Sequence, residues 1–299
     1  MAEVRVRVPA KVNLALNVGA TDNEGYHALG TLFQAVSLFD DLVARPAEAG
    51  VFRVNFRGEG ASGLPVDDTN LVVRAARLLA KTCGTGNLGV EIRVHKRIPV
   101  AGGMAGGSAD AAATLIACNQ LWGTGLDTEQ LHAVAARLGA DVPFLLHGGT
   151  AVGTGRGEKL RSVPARGSFQ WVLALSHHGL STPAVFREFD RISAPQPTDI
   201  DSGLLEALAD GDARRVGALL RNDLQRAAFN LQPELADVLA MGREAGATGA
   251  LVSGSGPTIA FLAGTKAVAD AISDWLVLSS RVRAVRRVHG PVPGARIVN

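Results

Sequence analysis

The sequence predicts an α+β protein that folds as two halves. Segments with alternating apolar and polar residues, typical of β-strands, occur among segments with the 3.6-residue periodicity of helices. The chain has 299 residues, of which 47% are hydrophobic, so it is long and apolar enough for two domains with sizeable cores. Strand patterns dominate the first part, and helical patterns dominate after residue 203. We place the junction of the halves between Leu146 and Phe169.

The N-terminal segment gives the first strand pattern. Apolar residues occupy alternate positions over 4–8 and again over 12–16, on either side of Pro9, which predicts two strands or one strand bent at the proline. Lys11 and Asn13 fall on the polar side of the second part. The remaining strands are predicted at 89–96, as a pair with glycine turns within 147–158, at 169–176, as a strand–loop–strand unit at 249–264, and in the final segment 281–290.

Helices are predicted from apolar spacing together with capping residues. The first begins at Thr69 or Asn70, whose side chains can accept hydrogen bonds from helical N–H groups, and it ends at Gly84. Ser108 is predicted to cap the second, alanine-rich helix. Further helices are expected at 128–139, 183–192, 204–208, 213–229, 233–245 and 266–276, with a linking loop at 193–203.

Composition excludes several classes of function. The formal charge of +2 gives no general case for nucleic-acid binding, and we interpret the arginines of 281–287 as the exposed face of a strand, a phosphate-binding patch being the alternative. Cys83 and Cys118 lack metal-ligand spacing and are expected to be free thiols of a reducing compartment. The N-terminus has no apolar signal region, and glycines and a proline break the uncharged stretch 245–265. We therefore expect a cytoplasmic protein without a membrane partner.

A glycine-rich loop follows the strand at 89–96. The stretch "PVAGGMAGGSADAAA", residues 99–113, leads from that strand into a helix, where unpaired N–H groups and the helix dipole can bind phosphate. It lacks the lysine of a Walker A loop, since Ser108 follows its last glycine, and no register gives G-x-G-x-x-G. Spacing alone leaves phosphate binding and a merely flexible helix start as equal alternatives.

Three stretches, in order, resemble the motifs of the GHMP small-molecule kinases. They are "VPAKVNLALNVG" near the N-terminus, the glycine loop "PVAGGMAGGSADAAA", and "VSGSGPTIAFL" near the C-terminus. The resemblance implies a two-lobed GHMP kinase fold, with an N-terminal ATP-binding α+β domain over 1–160 and a C-terminal ferredoxin-like α+β domain over 161–299. It also implies ATP as co-substrate, accompanied by Mg²⁺.

Additional stretches resemble one branch of this family. "EGYH", "GADVPFLLHGGTAVGTGRGE" and "STPAVF" match members whose acceptor is a small molecule carrying a cytidine diphosphate group. The implied reaction is phosphorylation of that acceptor's 2-hydroxyl in isoprenoid precursor synthesis. A homoserine or mevalonate type of kinase is the alternative within the family, and a non-catalytic sugar or nucleotide sensor is the alternative outside catalysis. We expect a monomer or a homodimer.

Two residues are expected to carry the chemistry. Phosphoryl transfer needs a group that accepts the hydroxyl proton and a cation that stabilises the transferred charge. Asp141, a lone acid among apolar residues, matches the family's base, and partial desolvation would raise its basicity; by itself it would be interpreted as a turn cap. Lys11 matches the family's cation, although an isolated lysine is usually only solvated.

The resemblance also implies binding residues for ATP. Asn70 and Lys96 would lie on the nucleotide side, their alternatives being a helix cap and a solvated strand end. Ala109 stands where the family often has a second serine, which leaves Ser108 as the only loop hydroxyl, and Asp110 is interpreted as complementing the helix dipole. The remaining ATP-binding positions are Pro99, Ala101, Gly102, Gly103, Ala105, Gly106 and Gly107.

The acceptor would be bound by residues of the other motifs. Tyr26 and Phe186 would stack on the two faces of cytosine, and His27 would hydrogen-bond its edge, although each could instead have a core or turn role. Asn13 would position the acceptor's alcohol end, and Thr182 and Pro183 would shape the wall beside Phe186. The third glycine motif, Gly254, Ser255 and Gly256, is expected to lie behind the phosphate loop.

Overall fold

The computed structural model describes residues 3–84 and 87–299 and has an α+β architecture, as predicted. Its strands are β1 Val4–Thr21, β2 His27–Pro46, β3 Phe52–Gly58, β4 Val90–Lys96, β5 Thr150–Thr154, β6 Lys159–Ser162, β7 Phe169–Leu175, β8 Arg221–Asn222, β9 Gly249–Val252, β10 Ile259–Ala263, β11 Ala284–Gly290 and β12 Arg296–Ile297. Its helices are α1 Leu71–Cys83, α2 Gly106–Trp122, α3 Thr128–Ala136, α4 Val142–His147, α5 Thr182–Ile192, α6 Ser202–Asp210, α7 Ala213–Leu219, α8 Gln225–Leu231, α9 Glu234–Glu244 and α10 Lys266–Val277. A 3₁₀ turn covers Ala61–Gly63.

The strands form two sheets. The larger has eight strands in the order β12-β1-β2-β4-β3, with β5 joined to β2, β6 joined to β5, and β8 joined to β1. The smaller has four strands in the order β11-β7-β10-β9. Alternate residues of β7 face different cores: Trp171 packs in the core of the larger sheet, and Val172 packs in the core beneath α9 and α10. Because both faces of β7 are buried from Trp171 onward, its sequence there is a continuous apolar run.

The long hairpin of β1 and β2 organises the larger sheet. β1 is one strand with a register shift between Pro9 and Ala10, which decides the alternative left by the sequence in favour of a single bent strand. Val6, Val8 and Leu14 are fully buried on its inner side. This bend matters for the site, because Lys11 and Asn13 follow it directly.

Helices α1 and α2 pack against the larger sheet and against each other. The Asn70 side chain accepts a hydrogen bond from Val72 N, and Gly84, with φ +68°, ends α1, both as predicted. In α2, most of the alanines are fully buried, so small side chains bring the helix close to the sheet. That close approach fixes the start of α2 beside the glycine loop.

Two helix predictions are wrong. Ser108 does not cap α2, because the helix begins at Gly106 and its cap position is held by Ala105 in the left-handed region, with φ +60°. The helix predicted over 213–229 is broken after α7, since Leu220 is extended and β8 pairs with β1. Local helical spacing continues through this break, but pairing with a distant strand overrides it.

The predicted loop at 193–203 is irregular up to Asp201 and lies against β1. Gln196 N donates to Val18 O at 2.8 Å, and the Asn17 side chain donates to Asp199 O at 2.7 Å. Further along, Leu204 and Val216 belong to the core of the larger sheet. The division into two domains between residues 160 and 161 stays a prediction.

The exposed arginines, the two cysteines and the absence of a membrane helix are each predicted from the sequence. Arg286 and Arg287 are both exposed on β11, but neighbouring residues of a strand point to opposite faces, so the arginines do not form the single exposed face that was predicted. Both cysteines are free; Cys118 is buried, which raises the pKa of its thiol, and Cys83 is half-buried. Across residues 3–84 and 87–299, no helix combines the length and the apolar character needed to cross a membrane.

Candidate active site

A cleft of about 1030 Å³ collects most of the predicted site residues. Its walls come from β1, β2, the glycine loop, the start of α4, the β5–β6 turn, α5 and the β9–β10 turn. The predicted residues that line it are Lys11, Asn13, Tyr26, His27, Pro99, Ala101, Gly102, Gly103, Ala105, Gly106, Gly107, Asp141, Thr182, Pro183, Phe186, Gly254 and Ser255. Asn70, Lys96, Ser108, Ala109 and Gly256 are not among its lining residues.

The two glycine motifs contact each other at this cleft. Ser253 Oγ donates to Gly103 O at 3.1 Å, and Thr258 N donates to Gly102 O at 3.4 Å. Gly103 has φ +73°, and a Cβ there would lie 2.1 Å from Ser253 O, so only glycine fits. The β9–β10 turn therefore holds the glycine loop in place from behind.

The glycine loop is held in a conformation that ordinary residues disfavour. Ala101 and Ala105 both have positive φ, +52° and +60°, which costs about 1–2 kcal/mol at each non-glycine residue. Such strain is typical of sites where the backbone must face a ligand. Gly106 and Gly107, in the first turn of α2, line the cleft, so this helix start is open to it. Backbone N–H groups at this helix start can therefore receive an anion.

Lys11 is a buried cation beside this loop. Its side chain is nearly inaccessible, its Nζ donates to Asn13 Oδ1 at 2.6 Å, and it lies 5.5 Å from the centre of the Phe33 ring. Burial lowers the pKa of Lys11, and the nearby negative charge of Asp141 partly opposes that shift. The Lys11 backbone N–H also donates to Met104 O at 3.3 Å, which ties β1 to the loop.

Asn13 has a fixed orientation. Its Nδ2 donates to Thr31 Oγ1 at 2.8 Å, and that hydroxyl donates to Ala15 O at 3.0 Å. The amide oxygen of Asn13 is therefore the atom that faces Lys11. Thr31 is fully buried and lines the cleft, and no motif in the sequence marks it as a site residue.

Asp141 stands immediately before α4, in a half-buried position. Within the described ranges, its side chain makes no capping hydrogen bond to α4, so the turn-cap alternative is not what the structure contains. The carboxylate is free to interact with Lys11, as the effect on the lysine's pKa indicates. A carboxylate and an ammonium therefore share the cleft with the glycine loop.

Aromatic side chains occupy another part of the cleft. Phe186 stacks on His27 with ring centres 5.3 Å apart and an angle of 23° between planes. His27 Nδ1 contacts Gly19 O at 2.8 Å, and its Nε2 lies 3.0 Å from Asp190. Tyr26 is 55% exposed. Phe186 is half-buried and packs against the core that contains Val185 and Phe189, and the rings of Tyr26 and Phe186 both line the cleft.

The wall beside these rings joins α5 to the third glycine motif. Thr182 Oγ1 and Ser255 Oγ are 2.8 Å apart and share a hydrogen bond. Pro183 and Ser255 both line the cleft. This contact links the aromatic part of the cleft to the part that contains the glycine loop.

Lys96 has a different position from the one predicted. It is 2% exposed, its Nζ donates to Asp40 Oδ2, to Asp110 Oδ2 at 2.6 Å and to Gly106 O at 3.2 Å. The prediction that Lys96 is a solvated residue at the end of its strand is therefore wrong. Lys96 is paired with Asp110 at the start of α2. Burial raises the pKa of Asp110, and the second carboxylate, Asp40, adds to that shift.

Several cleft residues were missed from the sequence. Arg137, Arg156 and Glu158 line it, whereas the stretch "GGTAVGTGRGE" predicts hairpin turns, with phosphate contact as the less favoured alternative. The available signal was a single arginine between two glycines. Because glycine has no side chain, the arginine is the one long side chain at that turn. Asp40 gave no such signal, since its role depends on Lys96, 56 residues away.

Family models and solved structures agree with this architecture. The model described as GHMP kinases N terminal domain matches residues 70–149, and the one described as GHMP kinases C terminal matches 204–276. A homoserine kinase from Cytophaga hutchinsonii superposes with a TM-score of 0.79 over 100% of this chain and 98% of its own, at 21% identity, and shows that the fold is shared. The fold and the cleft thus define an ATP-dependent small-molecule kinase.

Relatives with higher sequence identity identify the branch of the GHMP kinases. Proteins named 4-diphosphocytidyl-2-C-methyl-D-erythritol kinase from Nocardia farcinica and Thermobifida fusca are 54% and 53% identical, covering 99% of this chain and 96% and 98% of their own lengths. A crystal structure of 4-(cytidine 5'-diphospho)-2C-methyl-D-erythritol kinase is 35% identical, with a TM-score of 0.76 over 95% of this chain and 98% of its own. The chain belongs to the 4-diphosphocytidyl-2-C-methyl-D-erythritol kinase family of the GHMP kinases.

Proposed function

We propose that this kinase transfers the γ-phosphoryl group of ATP to the tertiary 2-hydroxyl of 4-diphosphocytidyl-2-C-methyl-D-erythritol, within the non-mevalonate route to isoprenoids. The observation that carries the proposal is one cleft containing the glycine loop, Lys11 with Asp141, and the aromatic group of Tyr26 and Phe186. These parts match the three needs of the reaction: a phosphate site, a group for proton transfer, and a site for an aromatic base.

The glycine loop is the proposed phosphate site. Backbone N–H groups at the start of α2 would bind the phosphate oxygens, since they lack helical partners and lie at the positive end of the helix dipole. Bound Mg²⁺ would neutralise charge on those oxygens. Within residues 3–84 and 87–299, no cluster of three acidic, histidine or cysteine side chains has metal-binding geometry. The ion would arrive with ATP, and Ser108, which does not line the cleft in this structure, is the loop hydroxyl nearest in sequence to the glycines that do.

Asp141 and Lys11 are the proposed catalytic pair. Asp141 accepts the proton of the acceptor's 2-hydroxyl while the oxygen of that hydroxyl bonds to the γ-phosphorus. At the same time, the bond between the γ-phosphorus and the ADP oxygen breaks. Lys11 stabilises negative charge on the transferred group. Because Lys11 is buried, its charge acts through a medium of low dielectric and is more effective than it would be in water.

The remaining part of the cleft is the proposed site for the acceptor. Cytosine would stack between Tyr26 and Phe186, and His27 Nε2 would bind its edge in place of the contact with Asp190. The amide of Asn13 would orient the alcohol end of the substrate toward Asp141. A substrate without a base would leave this part of the cleft unused, which argues against homoserine and mevalonate as acceptors.

Acceptor-dependent ADP release tests the proposal. With Mg-ATP present, release should be stimulated by 4-diphosphocytidyl-2-C-methyl-D-erythritol and not by mevalonate, homoserine or buffer alone. Stimulation by either of the other acceptors would replace the proposed substrate. No stimulation by any of the three would leave a nucleotide-binding sensor as the better reading.

Asp141→Asn tests the proton-transfer role. We expect kcat to fall about 10²–10⁴-fold, because the amide cannot accept the proton, while ATP binding measured by calorimetry stays within about twofold. Asp127→Asn is the matched control, since Asp127 is an exposed capping residue of α3 whose hydrogen bond an asparagine can keep. Normal turnover in Asp141→Asn would remove Asp141 from the mechanism.

A further inference from the structure

Arg156 connects two turns that border the cleft. Its Nη2 donates to Asp22 Oδ2 at 2.8 Å and to Glu24 Oε2 at 2.7 Å, both in the turn between β1 and β2. Its guanidinium carbon also lies 3.9 Å from the centre of the Tyr26 ring. One side chain of the β5–β6 turn therefore makes three contacts with the short segment 22–26.

The backbone of both turns supports this arrangement. Asp22 Oδ1 accepts hydrogen bonds from Glu24 N and Tyr26 N, each at 2.9 Å, so the segment is ordered internally around the same carboxylate that Arg156 binds. Arg156 itself stands between glycines at φ +73° and +110°, and a Cβ on Gly155 would lie 2.7 Å from Glu158 Oε1. The turn thus requires glycine beside the arginine and presents the arginine toward Tyr26.

The charges around Arg156 exclude direct phosphate binding. Asp22 and Glu24 pair with its guanidinium, and Glu158 Oε2 accepts from its backbone N–H at 2.7 Å. Two carboxylates pair with the guanidinium and a third binds the backbone of the same residue, so the cluster is negative and would repel a diphosphate. Hydrogen bonds to Glu24 and Asp22 raise the pKa of Arg156, and the Tyr26 backbone N–H together with Arg156 lowers the pKa of Asp22, which keeps both groups charged.

The Tyr26 ring is covered by Arg156 on one face, yet the side chain remains 55% exposed. Phe186, whose ring stacks on His27, also lines the cleft and is the second ring of the proposed base site. A ring held at a fixed place loses less conformational freedom when a ligand stacks on it.

We propose that Arg156 is a positioning residue for the acceptor: it holds the Tyr26 ring at the cleft so that the base of the substrate can stack on its uncovered face. This inference rests on the proposed function, because only a substrate with an aromatic base would use the stack. Arg156 therefore governs affinity for the acceptor and leaves ATP binding and the phosphoryl-transfer step unaffected.

Steady-state kinetics of Arg156→Ala test this role. We expect KM for 4-diphosphocytidyl-2-C-methyl-D-erythritol to rise about 10-fold, the size of a lost cation–π contact together with its ordering effect, with kcat and KM for ATP within about twofold. Arg215→Ala is the matched control, because Arg215 also pairs with two acids, Glu206 and Asp210, at a site outside the cleft. An unchanged acceptor KM in Arg156→Ala, or a comparable rise in the control, would overturn the proposal.

A double-mutant cycle tests whether the effect passes through Tyr26. In a Tyr26→Ala background, the further change Arg156→Ala should alter the acceptor KM by less than about twofold, since the ring that it positions is gone. A full 10-fold effect in that background would show that Arg156 acts independently of Tyr26 and would overturn the proposal. Arg156→Lys should give an intermediate KM, because lysine keeps the charge and loses the planar fork.

A measurement without substrate separates this inference from the proposed function. Tyr26 is the single tyrosine of the chain, so incorporation of 3-fluorotyrosine gives one ¹⁹F resonance. We expect Arg156→Ala to narrow and shift this resonance, as the ring gains freedom, and Arg215→Ala to leave it unchanged. No change in Arg156→Ala would overturn the positioning role whatever the acceptor is, whereas a wild-type enzyme inactive on the proposed acceptor would overturn the proposed function alone.

Discussion

Two lysines lie buried on the larger sheet, and their surroundings differ in one respect. Lys96 donates to two carboxylates, Asp40 and Asp110, whereas Lys11 donates to the neutral amide of Asn13. The pKa of Lys96 is raised because the attraction of both carboxylates outweighs burial, and the pKa of Lys11 is lowered because burial outweighs the attraction of Asp141. The positive charge of Lys96 is thus balanced by carboxylates within the fold, whereas the positive charge of Lys11 at the cleft is only partly balanced.

The difference shows how a structural and a functional cation are distinguished. A buried ammonium is expensive unless paired, so Lys96 with its carboxylates satisfies the fold and ties β4 and β2 to the start of α2. Lys11 retains charge that the protein does not neutralise directly, which is favourable only if another anion arrives. Substitutions of Lys96, Lys11 and Asp110 test this distinction.

Lys96→Met should have the largest effect on stability. It leaves Asp40 and Asp110 buried together without their cation, and loss of one partner of a buried ion pair costs about 3–5 kcal/mol. Chemical denaturation should show this loss in the free energy of unfolding, and Lys159→Met, at an exposed lysine of β6, should stay within about 0.5 kcal/mol. A loss at Lys96 no larger than in that control would contradict the structural role.

Lys11→Met should act mainly on catalysis. We expect kcat to fall about 10²–10³-fold, the effect of removing one group that stabilises transition-state charge. The free energy of unfolding should not decrease, because the folded state disfavours the charged lysine. In the wild type, Lys11 loses its proton at lower pH in the folded than in the unfolded state, so stability should rise with pH between the lowered pKa and 10.5. The methionine variant should lack this rise; a loss of stability with kcat unchanged would reverse the assignment of the two lysines.

Asp110→Asn should have the smallest effect, about 1 kcal/mol, since the amide oxygen can still accept from Lys96 and Asp40 still balances its charge. The pKa of Asp110 lies above its ordinary value of 3.8, so the folded state holds a proton that the unfolded state releases. Wild-type stability should therefore fall as pH rises from 3.8 through the raised pKa, and the variant should not show this fall. Parallel stability–pH curves for the two proteins, measured by denaturation at pH 5 and pH 8, would contradict the shift.

Local signals predicted much of the fold. The cap at Asn70, the left-handed Gly84 and the alternating residues of β4 depend only on neighbours in sequence, and each prediction matches the structure. The predicted helix over 213–229 failed because the break after α7 depends on pairing of β8 with β1, a contact that no local pattern records.

The residues of the candidate site also fall into two groups, those that a sequence motif predicts and those whose role depends on tertiary contacts. Lys11, Asp141 and the glycine loop carry motifs that can be matched, and the structure brings them into one cleft. Lys96 was expected beside the nucleotide, because its motif gives no information about Asp40 on a strand 56 residues earlier. Burial of a charge, and the partner that compensates it, are properties of tertiary contacts.

The free edge of β1 is completed by two short strands from far along the chain. β8 pairs with Ala15 and Leu16, and β12 pairs with Val6 and Arg7. During synthesis on the ribosome, β1 is among the first segments to emerge, yet its outer hydrogen bonds await residues 221–222 and 296–297. The strand that carries Lys11 is therefore among the last parts of the larger sheet to be completed, and the nascent chain must keep that edge from pairing with other chains until translation is nearly finished.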